Sequence, residues 1–345
     1  MTVEAPTAPP PVVRSGPRHS RHRRRLPGWI TVILWIVTGG LAVVAAMRLF
    51  AWDAFEPFAV LNSVTAFVYL PAWIVVILAA VGKRYALAGA ALVVVALQVA
   101  FMLPELTASE PVPSWTNGAP TIRLLDANVY ANSTSMSGYA DQIRATRPDL
   151  ITLQEANPND VTQLTKAGAL TGLPYTIEVK RYDPAAYFVA SKYPLTGTTI
   201  VYRYGHPLIV ETTIQLPSGP QALWVVHTVA PLPQSFGPWK GFMAAIDQQV
   251  RARGTAGLLV VGDFNSTWGN KGFRGILADG LTDGAAARGK PFDMTWSQME
   301  HPLPPVVRID HVVTGSGLAV TQIRSGPGPG SDHRDLSATI AIHRR

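Results

Sequence analysis

The sequence contains no cysteine and few charged residues, and each scarcity excludes a class of protein. Without cysteine, the 345-residue chain forms neither disulfides nor thiolate metal sites. Charged residues make up 15% of the chain against 48% hydrophobic residues, and the mean hydropathy is +0.17. This composition is too apolar for a purely soluble protein of this size, so part of the chain is expected to lie in a lipid bilayer.

Positive charge is concentrated near the N-terminus. The net charge is +7, and much of it falls between Arg14 and Arg25. Residues 1–28 are rich in proline and arginine with almost no apolar clustering, which predicts a disordered basic tail. The basic run favours a membrane-topology signal over nucleic-acid binding, because an apolar run follows it directly.

Three apolar runs without charged residues follow the tail, namely Trp29–Met47, Pro57–Gly82 and Tyr85–Pro104. Each has about 19 residues or more, enough to cross the hydrocarbon core of a bilayer as a helix. Residues 29–104 are therefore predicted to form a three-helix transmembrane anchor in the cell membrane. A cleaved signal peptide is the alternative for the first run, and the two later runs weigh against it.

Basic residues also predict the orientation of the anchor. Those before the first run, and Lys83–Arg84 between the second and third, place these segments and the N-terminus in the cytoplasm. Everything after Pro104 should then face the extracytoplasmic side. Arg48 breaks the pattern and is expected to reach the interface from a helix end. The runs contain no internal charge that would mark a transport pathway, so they indicate an anchor.

A linker, residues 105–120, precedes a region of different pattern, residues 121–345. Short apolar runs typical of strands alternate there with amphipathic segments and turns, which predicts an α/β domain of two packed sheets flanked by helices. The predicted helices are Met136–Thr146, Asn159–Ala167 and Gly241–Arg253. The predicted strands are Ile122–Leu125, Leu150–Leu153, Tyr187–Ala190, Ile209–Ile214, Ala222–Val226, Leu258–Val261, Ile309–Val313 and Leu336–Ile342.

Six groups of polar residues lie at the ends of these strands or in the loops next to them. Taken singly, each has an ordinary explanation as a turn former or a helix-start residue. Together they indicate one site, and oxygen ligands without cysteine suit Mg²⁺ or Mn²⁺ better than zinc. Carboxylates, amides and histidines are what attack of water on a phosphoester requires. The set comprises Asn128, Gln154–Glu155, His227, Asp263 with Asn265, Asp310–His311 and Ser331–His333.

These motifs, in this order, resemble those of the endonuclease/exonuclease/phosphatase superfamily, the DNase I-like group, from about Thr121 to Ile342. The motifs, which include Gly262-Asp263-Phe264-Asn265 after an apolar strand, are specific in combination. The layout of spans before the domain is similar to membrane-anchored bacterial members. The resemblance implies a four-layered α/β sandwich and Mg²⁺-dependent phosphoester hydrolysis.

The resemblance also implies roles for individual residues. It implies metal contact at Glu155, with Asn128 and Asp332 nearby. Asp263 would activate or orient water, and Asn265 would position the phosphate. His227 and His333 would stabilise the phosphoryl group, with Asp310 polarising His333.

The substrate is left open between nucleic acid and a phospholipid or other envelope phosphate. A nucleic-acid substrate predicts a basic groove with stacking aromatics, and a lipid substrate predicts a site mouth near the bilayer. The aromatic stretch Phe236–Met243 could reach lipid, although packing in the core is favoured. A non-catalytic phospholigand-binding domain on the same fold is the further alternative. The presence of Asp263 and His333 favours an enzyme.

Overall fold

The structure is a computed structural model that describes residues 26–298 and 304–343. Most of the predicted disordered tail, residues 1–25, lies outside the described residues. The described chain begins with a helical region and continues into two β-sheets with helices on their outer faces.

Two helices of the N-terminal region are long and apolar enough to cross a membrane. They are α1, Gly28–Phe50, and α5, Tyr85–Leu106, with 23 and 22 residues. At about 1.5 Å per residue each helix is more than 30 Å long, the thickness of a hydrocarbon core. Both include the apolar runs expected at these positions, and α5 takes in Glu105, which the sequence had assigned to the linker.

The middle apolar run is broken and does not form the single straight helix expected over Pro57–Gly82. It folds as α2, Glu56–Ser63, then α3, Thr65–Val68, and α4, Leu70–Val81, with a bend of 83° after α2. Pro71 in the first turn of α4 lacks a backbone N–H and favours a new helix start there. A third crossing exists by length and composition only if this bent segment counts as one span.

From residue 121 the chain forms two six-stranded mixed sheets. The first sheet has the order β11-β12-β1-β2-β4-β3 and the second β5-β6-β7-β8-β10-β9. All eight predicted strands are present, and β3, β5, β9 and β11 are additional. The strands are β1 Thr121–Asn128, β2 Leu150–Gln154, β3 Tyr175–Val179, β4 Tyr187–Ser191, β5 Leu195–Arg203, β6 His206–Leu216, β7 Gly219–His227, β8 Leu258–Asp263, β9 Thr282–Asp283, β10 Asp310–Thr314, β11 Leu318–Ser325 and β12 Leu336–Ile342.

Helices cover the outer face of each sheet, and the predicted four-layered sandwich is confirmed. Between the sheets lies one apolar core that includes Leu124, Val225 and Val261. A second cluster packs the first sheet against the helices on its outer face. A third cluster packs the second sheet against the helices on the opposite outer face. The helices are α6 Ser137–Thr146, α7 Pro158–Lys166, α8 Phe236–Arg253, α9 Lys271–Ala278 and α10 Gly284–Ala287.

Strand direction brings the predicted site residues to one end of the sandwich. In the first sheet β1 and β2 run parallel, so their carboxyl ends coincide. In the second sheet β7 and β8 do the same, which places His227 opposite Asp263. The neighbouring β10 is antiparallel and starts at this end, with Asp310 opposite Asp263. Both sheets therefore deliver polar residues to one cleft.

The helical region is docked against the loop that follows β8. Arg48 is buried, where the sequence predicted a side chain extended to an interface, and its guanidinium donates to Gly269 O. Trp52 Nε1 donates to the same carbonyl at 2.8 Å, and its ring lies 4.9 Å from the Arg48 guanidinium. Asp53 Oδ2 accepts from Lys271 N at 2.6 Å, at the start of α9.

A second contact joins the end of α5 to β10. Arg308, two residues before Asp310, is buried and donates to Glu105 and to Asp283, both at 2.5 Å. Asp283 also accepts from Trp268 Nε1 at 2.6 Å, so the ion pairs reach the loop after β8. Two separated contacts hold the helices and the sandwich in one arrangement.

Candidate active site

Asp263 ends β8 at the centre of the cleft, and a glycine precedes it for steric reasons. Gly262 has φ +125°, and a Cβ at this position would lie 2.1 Å from Val226 O of the neighbouring strand. Only glycine therefore lets β7 and β8 approach this closely. The Asp263 side chain is buried, with 1% of the residue exposed.

The side-chain amide of Asn128 links three of the predicted residues, which come from both sheets. Asn128 Nδ2 donates to Glu155 Oε1 at 3.0 Å and to Asp263 Oδ2 at 3.1 Å. Its Oδ1 accepts from Tyr130 N, which fixes the orientation of the amide. Glu155 has φ +60°, a strained conformation that turns its carboxylate back to accept from Ala131 N at 2.7 Å.

His333 and Asp310 form the hydrogen-bonded pair expected from the sequence. His333 Nδ1 donates to Asp310 Oδ2 at 2.9 Å, and His333 Nε2 lies 3.8 Å from Asp263 Oδ2. Burial opposes a charge on this ring, but the carboxylate of Asp310 outweighs it and raises the pKa of His333 to about 10. The imidazole is therefore a cation at neutral pH, with Nε2 available as a donor.

His227 ends β7 on the opposite side of Asp263. Its Nε2 lies 3.6 Å from Glu155 Oε1 and 3.7 Å from Asp263 Oδ2. Burial lowers the pKa of His227, and the charge of Glu155 acts against that shift. Tyr187 packs edge-on against the ring, and its single O–H lies within hydrogen-bond distance of three backbone carbonyl oxygens, one of them that of His227.

Asn265 completes the set around Asp263. Its backbone N–H donates to Asp263 Oδ1 at 2.7 Å, and its amide donates to Thr228 O at 2.8 Å. Burial, and after it the charge of Asp310, raises the pKa of Asp263 well above its ordinary value. The hydrogen bonds from the Asn265 N–H and the Asn128 amide act against that shift and favour the ionised form that a base requires.

The donor set fits a divalent cation. Glu155 and Asp263 present carboxylate oxygens to each other across the Asn128 amide, and hard cations prefer such ligands. Ligand atoms of Asp263 and Asp310 also lie within 4.8 Å of each other, and the buried Asp310 Oδ1 has no hydrogen-bond partner among the described residues. The protonated ring of His333 is a donor beside these oxygens and not a metal ligand.

Asp332, the third predicted metal ligand, lies beside His333. Its Oδ1 is 4.0 Å from His333 Nε2, and its Oδ2 accepts from Trp296 Nε1 at 3.1 Å. Within the described part of the chain no hydrogen bond links Asp332 to Glu155 or Asn128. The structure thus brings seven of the eight predicted residues into one network, with Asp332 at its edge.

Two contributors to the site were missed by sequence reasoning. Trp296 pairs through its backbone with His333, and no sequence pattern marked it. Asp126 is fully buried behind Asn128 and accepts from Thr152 and Gln154. Burial raises its pKa to about 7. The acid at the end of the first apolar strand was the available signal, because a buried carboxylate in a strand needs a specific partner.

Two packed sheets bring carboxylates, amides and two histidines together at neighbouring strand ends, and this is the arrangement of a phosphoester hydrolase fold. The sequence model of the Endonuclease/Exonuclease/phosphatase family matches residues 127–333, and the chain belongs to this family. No curated protein matches the chain.

Solved structures are similar in fold at low sequence identity. Truncated TDP2 of Caenorhabditis elegans has 13% identity and a TM-score of 0.52 over 64% of this chain and 98% of that one. D. rerio TDP2 complexed with single-strand DNA product has 13% identity and a TM-score of 0.55, covering 64% and 99%. The 3'-5' exonuclease NExo of Neisseria meningitidis has 16% identity and a TM-score of 0.50, covering 63% and 98%. These likenesses support the fold.

Proposed function

We propose that the chain is a membrane-anchored, metal-dependent phosphoester hydrolase whose catalytic domain, residues 121–345, lies outside the cytoplasm. Family membership supports the reaction class. The apolar helices support the anchor, and the basic residues before α1 and after α4 support the orientation. The His333–Asp310 pair facing Asp263 is the observation that carries the proposal.

In this proposal Asp263 takes the proton of the attacking water. Asn265 and Asn128 hold its two oxygens in place, which orients the base before substrate binds. The water oxygen bonds to phosphorus as the ester P–O bond breaks. His333, held by Asp310, donates to a phosphoryl oxygen or to the leaving oxygen, and a charged donor suits that role.

A divalent cation, Mg²⁺ or Mn²⁺, would be held by Glu155 and Asn128, with Asp332 as a predicted further ligand. Bound there, the cation would neutralise phosphate charge that the buried carboxylates would otherwise repel. His227 lies between Glu155 and Asp263 and would donate to the phosphate, so that this end of the site also binds anions.

The test is hydrolysis of bis-p-nitrophenyl phosphate by the full chain reconstituted in vesicles, with Mg²⁺, Mn²⁺ or EDTA. Asp263→Asn should lower kcat by about 10²–10⁴-fold, the range for loss of a positioned base. Asp141→Asn, at an exposed acid on α6, is the matched control and should leave kcat unchanged. Full activity of Asp263→Asn, or a folded wild-type chain without turnover in any metal, would contradict the proposal.

A further inference from the structure

An exposed apolar patch lies on the connection between α10 and β10. Phe292 is 56% exposed, Trp296 39% and Val306 36%, and these three residues are called the apolar patch below. The basic residues Lys290 and Arg288, just before it, donate to the backbone carbonyls of Ile323 and Glu110. Large exposed apolar side chains grouped in this way mark a binding surface.

The apolar patch is next to the end of a membrane-length helix. Phe292 and Val306 line one crevice together with Phe101 and Met102 of α5. Leu103 and Leu106, in the last turn of α5, are 50% and 41% exposed. In the membrane anchor proposed above, a helix of this length would end at the bilayer surface, which would place the patch at the level of the lipid headgroups.

The two contacts between the helices and the sandwich fix the position of the apolar patch relative to the end of α5. Arg48 and Trp52 hold the loop after β8 at Gly269, and Glu105 holds Arg308. A Cβ on Gly269 would lie 1.8 Å from Asn62 O, so the two backbones are in direct contact. The sandwich therefore does not swing freely on a linker.

The apolar patch also adjoins the catalytic histidine. The backbone of Trp296 pairs with Val307 on one side and with His333 on the other. Adjacent strands are about 4.8 Å apart, so about 10 Å separate Val307 from His333. The Trp296 indole donates to Asp332 Oδ2, which ties the patch to the edge of the site.

We propose that the substrate is a phosphoester of a membrane lipid, whose phosphate enters the site while its acyl part lies against the apolar patch. The proposal rests on the hydrolase function proposed above. A nucleic-acid substrate would instead need cations interleaved with aromatics at this rim. Arg308, which lines the crevice, is buried in ion pairs with Glu105 and Asp283. Lys290 and Arg288 donate to backbone carbonyls. The aromatic stretch Phe236–Met243 does not serve this purpose, because Trp239, Phe242 and Met243 are buried under the second sheet.

The first experiment measures inhibition of bis-p-nitrophenyl phosphate hydrolysis by methyl phosphate and by octyl phosphate, with the full chain in vesicles. Burial of a few methylenes should make octyl phosphate about 100-fold the better inhibitor. A double variant, Phe292→Ser with Val306→Ser, should lose most of this preference. Tyr175→Ser, an exposed aromatic at the far end of β3, is the control and should keep it.

The second experiment compares substrates. Vesicles of phosphatidylglycerol, phosphatidylethanolamine and cardiolipin should be hydrolysed by the wild-type chain, with KM about tenfold higher in the double variant and kcat retained. Equal inhibition by both phosphates, or faster hydrolysis of single-stranded DNA than of any vesicle lipid, would overturn the proposal. Failure to hydrolyse bis-p-nitrophenyl phosphate would instead remove the hydrolase function itself.

Discussion

A methyl group added to Gly269 should impair catalysis from outside the catalytic set. Its Cβ would lie 1.8 Å from Asn62 O, whereas real Cβ atoms stay at least 3.0 Å away. The contact between α2 and the loop must therefore open by about 1.2 Å, since close-packed backbone has no room to absorb it. The displaced loop contains Asn265, which orients Asp263.

The expected size of the effect follows from that displacement. Misplacement of catalytic groups by about 1 Å costs up to 10²-fold in rate, so Gly269→Ala should lower kcat by about 10- to 100-fold. The overpacking should also destabilise the chain by about 1–3 kcal/mol. Hydrolysis of bis-p-nitrophenyl phosphate by the reconstituted chain measures the first effect, and thermal unfolding measures the second.

Gly275→Ala supplies the matched control on α9. The nearest atom to its added Cβ is 3.5 Å away, an ordinary contact, so kcat should stay at the wild-type value. Wild-type kcat in Gly269→Ala would refute the coupling between the helical region and the active site. A loss of kcat that Gly275→Ala shares would show a general sensitivity of α9 instead.

Three further predictions concern the metal, the histidine and the buried ion pairs. Glu155→Gln should raise the Mg²⁺ concentration for half-maximal activity by more than about tenfold, read from a metal titration after EDTA treatment. Asp310→Asn should lower kcat by about 10²-fold or more with little change in KM, because His333 loses its orienting partner. Arg308→Met should lower the unfolding midpoint strongly, at about 3–5 kcal/mol for a buried carboxylate left unpaired. Arg251→Met, at an exposed ion pair, should hardly change the midpoint.

The sandwich was predictable because its strands carry strong patterns. Runs such as Leu258–Val261 are continuous and apolar, as expected for strands buried on both faces. The strands that were missed lack this signal. Leu195–Arg203 is mostly exposed and rich in threonine, and Thr282–Asp283 is only two residues long. Neighbouring strands, not local sequence, determine that these segments pair.

The site residues could be predicted because they follow apolar strands, and the same strands bring them together in the fold. Polar residues that follow apolar strands meet when parallel neighbours end together, so Asn128 and Asp263 were identifiable without coordinates. Trp296 was not, because its position depends on a long connection with no periodic pattern. Distances such as 3.8 Å between His333 and Asp263 depend on the packing of two sheets, which sequence spacing does not encode.

The apolar composition of the helical region gave no indication that this region packs against the sandwich. Ala59 and Asn62 fall in an apolar run that reads as a membrane span, yet Ala59 packs in the core beside Phe273 and Asn62 contacts Gly269. Because α2 packs against the sandwich and leads into the apolar helix α4, we expect a tilt of the apolar helices to displace the loop after Asp263. Activity should then respond to bilayer thickness, which changes helix tilt. Reconstitution in lipids of increasing acyl length would measure that response, and Gly269→Ala should weaken it.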